Sequence, residues 1–405
     1  RINFSRVTSI CLARNNAAFL NELLKSPCPS HLEDTGNRHP DSRTRVKCRE
    51  NLRAFTTDPE KAEKLNAGAC FPHHIIHDIE TADSTAKRDL HNARWTSLIA
   101  KIRKSQEDFR QKLIDDATAD AGAAAPDSTA HKKAEEQAMK AIGSGNFLPM
   151  VDVSESMTWD HKEPERPIDV ATACGTALSM VSNETWNGLM VSFTDEPRIF
   201  DTRGKSVAEV KADIYSHKGY STNFYKAQMA VLDRMKSSGA TDDDLPVIVV
   251  FTDGEWDSQD RNCPFTTDRR GIKRTLGWET MHEKVEREYV KAGFTRTPLI
   301  VYWILKKDRN GVQTEDNHPG CIFLQGQSPN LFKWILYGES LPDTEKVVMA
   351  DGKAVKVKTS SATPYSVFRK AVSADHLEAV EQVLLASREK ELAGYTAEFA
   401  AQHTV

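Results

Sequence analysis

The spacing of short apolar runs in the second half of this chain limits its fold more than any other feature. Residues 147–153, 189–193, 246–251, 299–304 and 321–324 are almost unbroken in apolar side chains. A strand that is apolar on both sides of its pleat has to be covered on both faces. The intervening stretches carry apolar residues at three- and four-residue spacing. Pro167 opens one with Ile168, Ala171, Leu178 and Val181, the next has Phe224, Ala227, Val231 and Met235, and a third has Trp278, Met281 and Val285 and stops at Gly293. Buried strands alternating with amphipathic helices predict an α/β fold, a Rossmann-like, doubly wound and mostly parallel sheet.

The first part of the chain reads differently. Leu20, Leu23 and Leu24 lie on one face of a helical segment that stops at Pro27 and Pro29, and Leu90, Trp95, Leu98, Ile99 and Ile102 mark a second helix. Residues 115–131 are rich in Ala, Asp, Gly, Ser and Thr, which reads as a linker, and residues 132–142 as a short connecting helix. The expected organisation is a basic α-helical module over 1–114, a linker with a short helix over 115–145, an α/β domain over 146–345, and a C-terminal extension over 346–405 with a helix near 374–393. The net charge of −4 hides an asymmetry. Residues 1–112 carry 20 Lys and Arg against 14 Asp and Glu, whereas the remainder carries 34 against 44. A basic module stands beside an acidic one.

With 405 residues there is room for two or three cores. Seven cysteines, an odd number and widely scattered, contain no Cys-x-x-Cys, which points to reduced thiols and a cytoplasmic setting. No apolar run is long enough to span a membrane, and no leader peptide is visible. The first residue is not Met, so a removed targeting segment stays open.

The chemistry-bearing motif is Asp152-Val153-Ser154-Glu155-Ser156, placed directly after the first apolar run. One acid and two hydroxyls on a turn are half of a site for a hard cation, Mg²⁺ with Mn²⁺ or Ca²⁺ as alternatives. Asp and Ser are also ordinary turn formers after a strand. In an open α/β sheet, ligands bind at the C-terminal ends of the strands. The run at 246–251 leads into Thr252-Asp253-Gly254-Glu255, which puts Asp253 at that edge, and Thr222, in Gly219-Tyr220-Ser221-Thr222-Asn223, is either a helix cap or a further ligand.

This order of segments resembles the von Willebrand factor A domain with its metal-ion-dependent adhesion site. The resemblance implies that Ser154, Ser156 and Thr222 touch the ion, that Asp152 and Asp253 balance its charge largely through water, and that one position stays open for an acidic group of a protein partner. Three further phrases, over residues 66–73, 297–303 and 320–331, are similar to a plant, fungal and viral family that pairs a helical module with an A domain, as the Ro (TROVE) RNA-binding autoantigen does. That family often has Gly where Glu155 stands and a bulkier residue where Gly254 stands. RNA or a ribonucleoprotein is the partner implied, with no membrane.

Arg38, Arg43, Arg45, Lys47, Arg49 and Arg53 fall within residues 38–53, against Asp41 and Glu50. On a helix Arg45 and Arg49 share a face, and with Arg53 they form a stripe able to follow phosphates; Arg43 and Lys47 flank it. The plain alternative is a solvated helix face. Trp95, near Lys101, Arg103 and Lys104, could stack a base, but its apolar periodicity favours the core. His73 and His77 are one helical turn apart with His74 between them, yet no further ligand has zinc-like spacing, so a structural or surface role is favoured. There is no Gly-x-Ser-x-Gly and no Walker-type loop, and only Glu255 or Asp257 could serve as a general base beside Asp152 and Asp253. The expectation is a metal-dependent binding protein and not an enzyme. A scaffold subunit of a large assembly, ribosome-associated or virion, and a metal-dependent phosphohydrolase are the alternatives.

Overall fold

The computed structural model describes residues 2–22, 36–65, 71–120, 132, 145–159, 162–219, 223–254, 266–267, 273–274, 278–306, 319–327, 332, 335, 343–350 and 353–360. Six strands form the main sheet: β1 (Phe147–Asp152), β2 (Leu189–Phe193), β3 (Arg198–Asp201), β4 (Val247–Thr252), β5 (Leu299–Ile304) and β6 (Cys321–Gln325). Their order is β3-β2-β1-β4-β5-β6; β2 and β3 are antiparallel and every other pair is parallel. This is the expected Rossmann-like α/β sheet. The exposed edge strand β3 was not read from the sequence, because Arg198 and Asp201 at its ends break the apolar pattern.

Both faces of the sheet are covered, which explains the unbroken apolar runs. On one side Phe147, Val151, Val249, Phe251, Val301 and Trp303 pack against α7 (Pro167–Val181) and α8 (Val207–Ser216). On the other, Leu148, Met150, Ile248, Val250, Ile300 and Tyr302 meet α9 (Phe224–Ser238) and α10 (Trp278–Lys291). Adjacent residues of one strand thus serve opposite layers, as the two-residue period requires. Burying this apolar surface from water, at roughly 25 cal/mol per Å², is the main force holding the layers together.

The helical module consists of α1 (Ser9–Arg14), α2 (Asn16–Phe19), α3 (Arg43–Thr56), α4 (Pro59–Ala62), α5 (Pro72–Glu80) and α6 (Thr85–Asp120). The first helical segment ends at Phe19, earlier than its leucine spacing suggests: Asn21 adopts φ +50° and Glu22 bridges to Asn37. Asparagine tolerates this left-handed conformation better than most residues. Leu23, Leu24, residues 133–142 and the expected helix at 374–393 lie outside the described residues. Helix α6 continues to Asp120, into the segment read as linker, where alanine favours helix.

The apolar face of α6 divides between two cores. Leu90 joins Phe4, Leu12, Leu20, Leu52 and Leu65 in a separate N-terminal cluster. Trp95, Leu98, Ile99 and Ile102, with Ile75, Ile76 and Ile79 of α5, belong to the same core as α7 and α8. Lys211 reinforces the junction, with Nζ 2.7 Å from Glu80 of α5 and 3.2 Å from Asp169 of α7. Two further strands, β7 (Asp343–Ala350) and β8 (Lys353–Ser360), form an antiparallel hairpin. Asp351-Gly352, with Val347 and Val348 before it and Val355 and Val357 after it, is a hairpin signal.

No helix among the described residues is long and apolar enough to cross a membrane. Cys11, Cys48, Cys174 and Cys321 are free thiols among the described residues.

Candidate functional site

From β1 the chain proceeds outward to β2 and β3, then returns to add β4 on the other flank. The gap between the C-terminal ends of β1 and β4 is therefore the switch point of the sheet, the usual place for a ligand in an open α/β fold. Val151 pairs with Phe251, which sets Asp152 level with Thr252 and next to Asp253. Asp152 and Asp253 are both fully buried.

The turn after β1 is held by its own side chains. Asp152 Oδ1 accepts the Ser154 N–H at 2.9 Å, and Oδ2 accepts the Thr252 hydroxyl at 2.8 Å. Thr252 Oγ1 in turn accepts the Gly254 N–H at 3.0 Å, where φ is +81°. The Ser154 and Ser156 hydroxyls stand 3.1 Å apart. Met157, wholly buried, anchors the short 3₁₀ turn Glu155–Thr158 so that Glu155 faces solvent. Trp159 follows, 54% exposed, its N–H donating to the Ser156 carbonyl at 3.2 Å.

Gly219 brings in the third segment. Its N–H donates to the Val153 carbonyl at 3.3 Å, and Ser154 and Gly219 form a parallel bridge. A Cβ at Gly219 would stand 2.8 Å from Thr194 Cβ, so any larger residue here requires Thr194 or the Gly219 backbone to shift. Thr222 lies outside the described residues. The cap of α9 is Asn223, whose Oδ1 accepts the Lys226 N–H at 2.9 Å.

Electrostatically the two carboxylates differ. Burial, and then repulsion from Asp253, push the Asp152 carboxyl up to about 7 against the hydrogen bonds from Ser154 and Thr252. Asp253 Oδ2 lies 3.0 Å from Nζ of Lys306, a buried lysine just past β5. Two buried carboxylates and two hydroxyls suit a hard cation in chemistry, and a divalent ion would offset the repulsion. Asp152, Ser154, Ser156 and Asp253 would hold it. Among the described residues no group of three or more His, Cys, Asp or Glu side chains is placed to hold an ion. From the described residues, such a site would draw its remaining ligands from hydroxyls and water. Thr252 and Lys306 were missed by the sequence reading; a charged residue ending an apolar strand was the signal for Lys306. Glu255 and Asp257 lie outside the described residues.

The basic stripe does not form as its spacing suggests. Arg43, Arg45 and Lys47 are exposed and Arg53 is half-buried, all on α3. Arg49 is buried at 6% exposure, its Nη1 donating to the carbonyls of Leu20 and Gly36 at 3.3 Å each. It ties α3 to the chain around it, and the phosphate-following face loses its middle member. Trp95 is a core residue. His73 is buried on α5, and His74 stands 3.6 Å from Glu165.

These features define an α/β protein with a polar, oxygen-rich site at the switch point of its sheet. The chain belongs to the family of the domain of unknown function DUF7788, whose model matches residues 146–372. That span takes in Asp152, Ser154, Ser156, Thr222, Asp253 and Lys306. Among solved structures the chain is similar to the Ro (RSR) protein of Deinococcus radiodurans, with 14% identity and a TM-score of 0.40. The similarity covers 82% of this chain and 53% of that one, so the chain spans about half the length of that protein. No curated protein matches the sequence.

Proposed function

We propose that this chain is a non-catalytic, metal-dependent binding protein. Its strand-end site holds a Mg²⁺-type ion in the manner of a von Willebrand factor A domain, and the ion engages a carboxylate of a protein or ribonucleoprotein partner. Arg43, Arg45, Lys47 and Arg53 contact RNA. The observation that carries the reading is the burial of Asp152 and Asp253 at adjacent strand ends beside the paired hydroxyls of Ser154 and Ser156. Lys306 offsets the charge of Asp253, and burying a second carboxylate beside it is costly unless a further cation accompanies the pair. A binder needs only that charge and an open coordination position, whereas a hydrolase also needs a placed general base.

The test is capture of partners from native lysate by wild type and Asp152→Ala, with and without chelator, identifying both protein and RNA. Partners lost with chelator and with Asp152→Ala support the reading. Capture of the same partners under all conditions overturns it.

A further inference from the structure

Among the described residues, Lys306 is the charged member of this site that cation binding does not call for. It follows β5 closely, and β5 lies beside β4 with Ile304 paired to Thr252, so the lysine emerges at the same edge as Asp253. Its main chain is fixed from both flanks. The Leu305 N–H donates to the Thr252 carbonyl at 2.8 Å, and the Gln325 side chain donates to the Lys306 carbonyl at 3.4 Å. Gln327 adds a bond to the Leu305 carbonyl at 3.2 Å. The ammonium is thus delivered by the sheet and not by a wandering surface side chain. It ends 3.0 Å from Asp253 Oδ2, with the lysine side chain 10% exposed and the carboxylate wholly buried.

An ammonium withdrawn from water this far is unfavourable unless paired, and so is the carboxylate it meets. Each group offsets the charge of the other. A divalent ion that takes Asp253 has to break or share this pair, and the lysine charge then stands next to the ion and repels it.

We propose that Lys306 is a tethered competitor for the cation: its ammonium neutralises Asp253 when the ion is absent, and its displacement sets how tightly the ion binds. This rests on the metal-dependent reading above. The site accordingly binds a divalent ion more weakly than its two carboxylates alone would. The same lysine keeps the ion-free protein folded around a buried acid.

The test is calorimetric titration of the full chain with Mn²⁺, together with thermal unfolding of the ion-free and Mn²⁺-loaded forms. Lys306→Met removes the competing charge but keeps the stem of the side chain. It should bind Mn²⁺ about tenfold or more tightly than wild type. Its ion-free form should unfold at lower temperature, and Mn²⁺ should raise that temperature by more than it does in wild type. Lys306→Arg keeps the charge and should bind Mn²⁺ no more tightly than wild type, which provides a folded comparison should the Met variant fail to fold. Unchanged or weaker Mn²⁺ binding by Lys306→Met, or tighter binding by Lys306→Arg, overturns the role of the lysine while leaving the cation site standing. No Mn²⁺ binding by either wild type or folded Lys306→Met removes the cation site itself, and the proposal with it.

Discussion

Tyr215, at the end of α8, donates its phenolic hydrogen to Asp169 Oδ1 across 2.5 Å, linking α8 to the first turn of α7. Arg166 donates to the same carboxylate from Nε at 2.7 Å and from Nη2 at 3.2 Å, and Lys211 lies 3.2 Å away while also reaching Glu80 of α5. Asp169 thus ties α8 to α7, and through Lys211 it supports the ion pair to Glu80 that reinforces the apolar junction with the helical module. Burial alone would raise its carboxyl, but the hydrogen bonds from Arg166 and Tyr215 and the charge of Lys211 outweigh burial and hold it below its ordinary value. Asp169→Ala leaves Arg166 and Lys211 without their shared partner and should cost roughly 3 kcal/mol in chemical unfolding. Tyr215→Phe removes one hydrogen bond and should cost about 1–2 kcal/mol. Because the folded carboxyl titrates lower than the unfolded one, its contribution is present above the unfolded value and lost as pH falls through the folded one. Asp169→Asn should therefore flatten the acid limb of the stability curve.

Two buried histidines should sharpen the same acid limb. Burial, then the charge of His74, lower His73 to about 3, and burial, then the Arg94 guanidinium, lower His91 to about 4, against an ordinary 6.5. Below that ordinary value the unfolded chain takes up protons that the folded one refuses. Stability is level above it and falls on acidification by up to about 1.4 kcal/mol per pH unit for each histidine. Urea unfolding measured from neutral to mildly acidic pH checks this. His73→Leu should give a shallower fall, and an identical slope would show that His73 does not contribute.

The arginines of α3 should separate into two kinds. Arg49→Ala deprives the carbonyls of Leu20 and Gly36 of a donor and should cost about 1–3 kcal/mol in unfolding experiments. Substituting Arg43, Arg45 and Lys47 with Ala should change stability by roughly 0.5 kcal/mol or less per site, because all three are exposed. If they follow phosphates, the combined variant should lower the salt dependence of RNA binding, by about 0.7 in slope for each phosphate of a single strand left without its cation. An unaltered slope would take RNA binding away from this helix.

Gly219→Ala should disturb the candidate site without touching any of its polar atoms. The added methyl meets Thr194 Cβ at 2.8 Å, so Thr194 or the Gly219 backbone, which is bridged to Ser154, has to shift. We expect a loss of about 1–3 kcal/mol in thermal unfolding and weaker Mn²⁺ binding. Thr194→Ala in the same chain should restore part of both, and full retention of Mn²⁺ affinity in Gly219→Ala alone would uncouple this segment from the site.

Much of the fold was already legible in the residues, and the reason is periodicity. The five apolar runs became β1, β2, β4, β5 and β6 with ends shifted by a residue or so, because a strand covered on both faces carries few polar side chains inside. Strand β3 escaped because only Phe200 in it is buried, so its residues leave no apolar run. The hairpin of β7 and β8 was signalled by Asp351-Gly352 and overlooked. Of the candidate site, Asp152, Ser154 and Ser156 were legible as one motif, since all three sit on a single turn. Asp253 was placed at the correct edge from its position after an apolar run.

Tertiary structure alone decided what those residues meet. The exchange of strand order between β1 and β4 makes Asp152 and Asp253 neighbours, though about a hundred residues separate them. The same pairing along the sheet brings the Lys306 ammonium to Asp253 and the Thr252 hydroxyl to Asp152. Arg49 shows the converse: its helical spacing with Arg45 and Arg53 was plain, yet packing turned it inward onto two carbonyls. Spacing along a chain specifies which side of an element a residue occupies. Whether that side meets water, a buried charge or another backbone depends on long-range packing, and that is where this protein's charges acquire their partners.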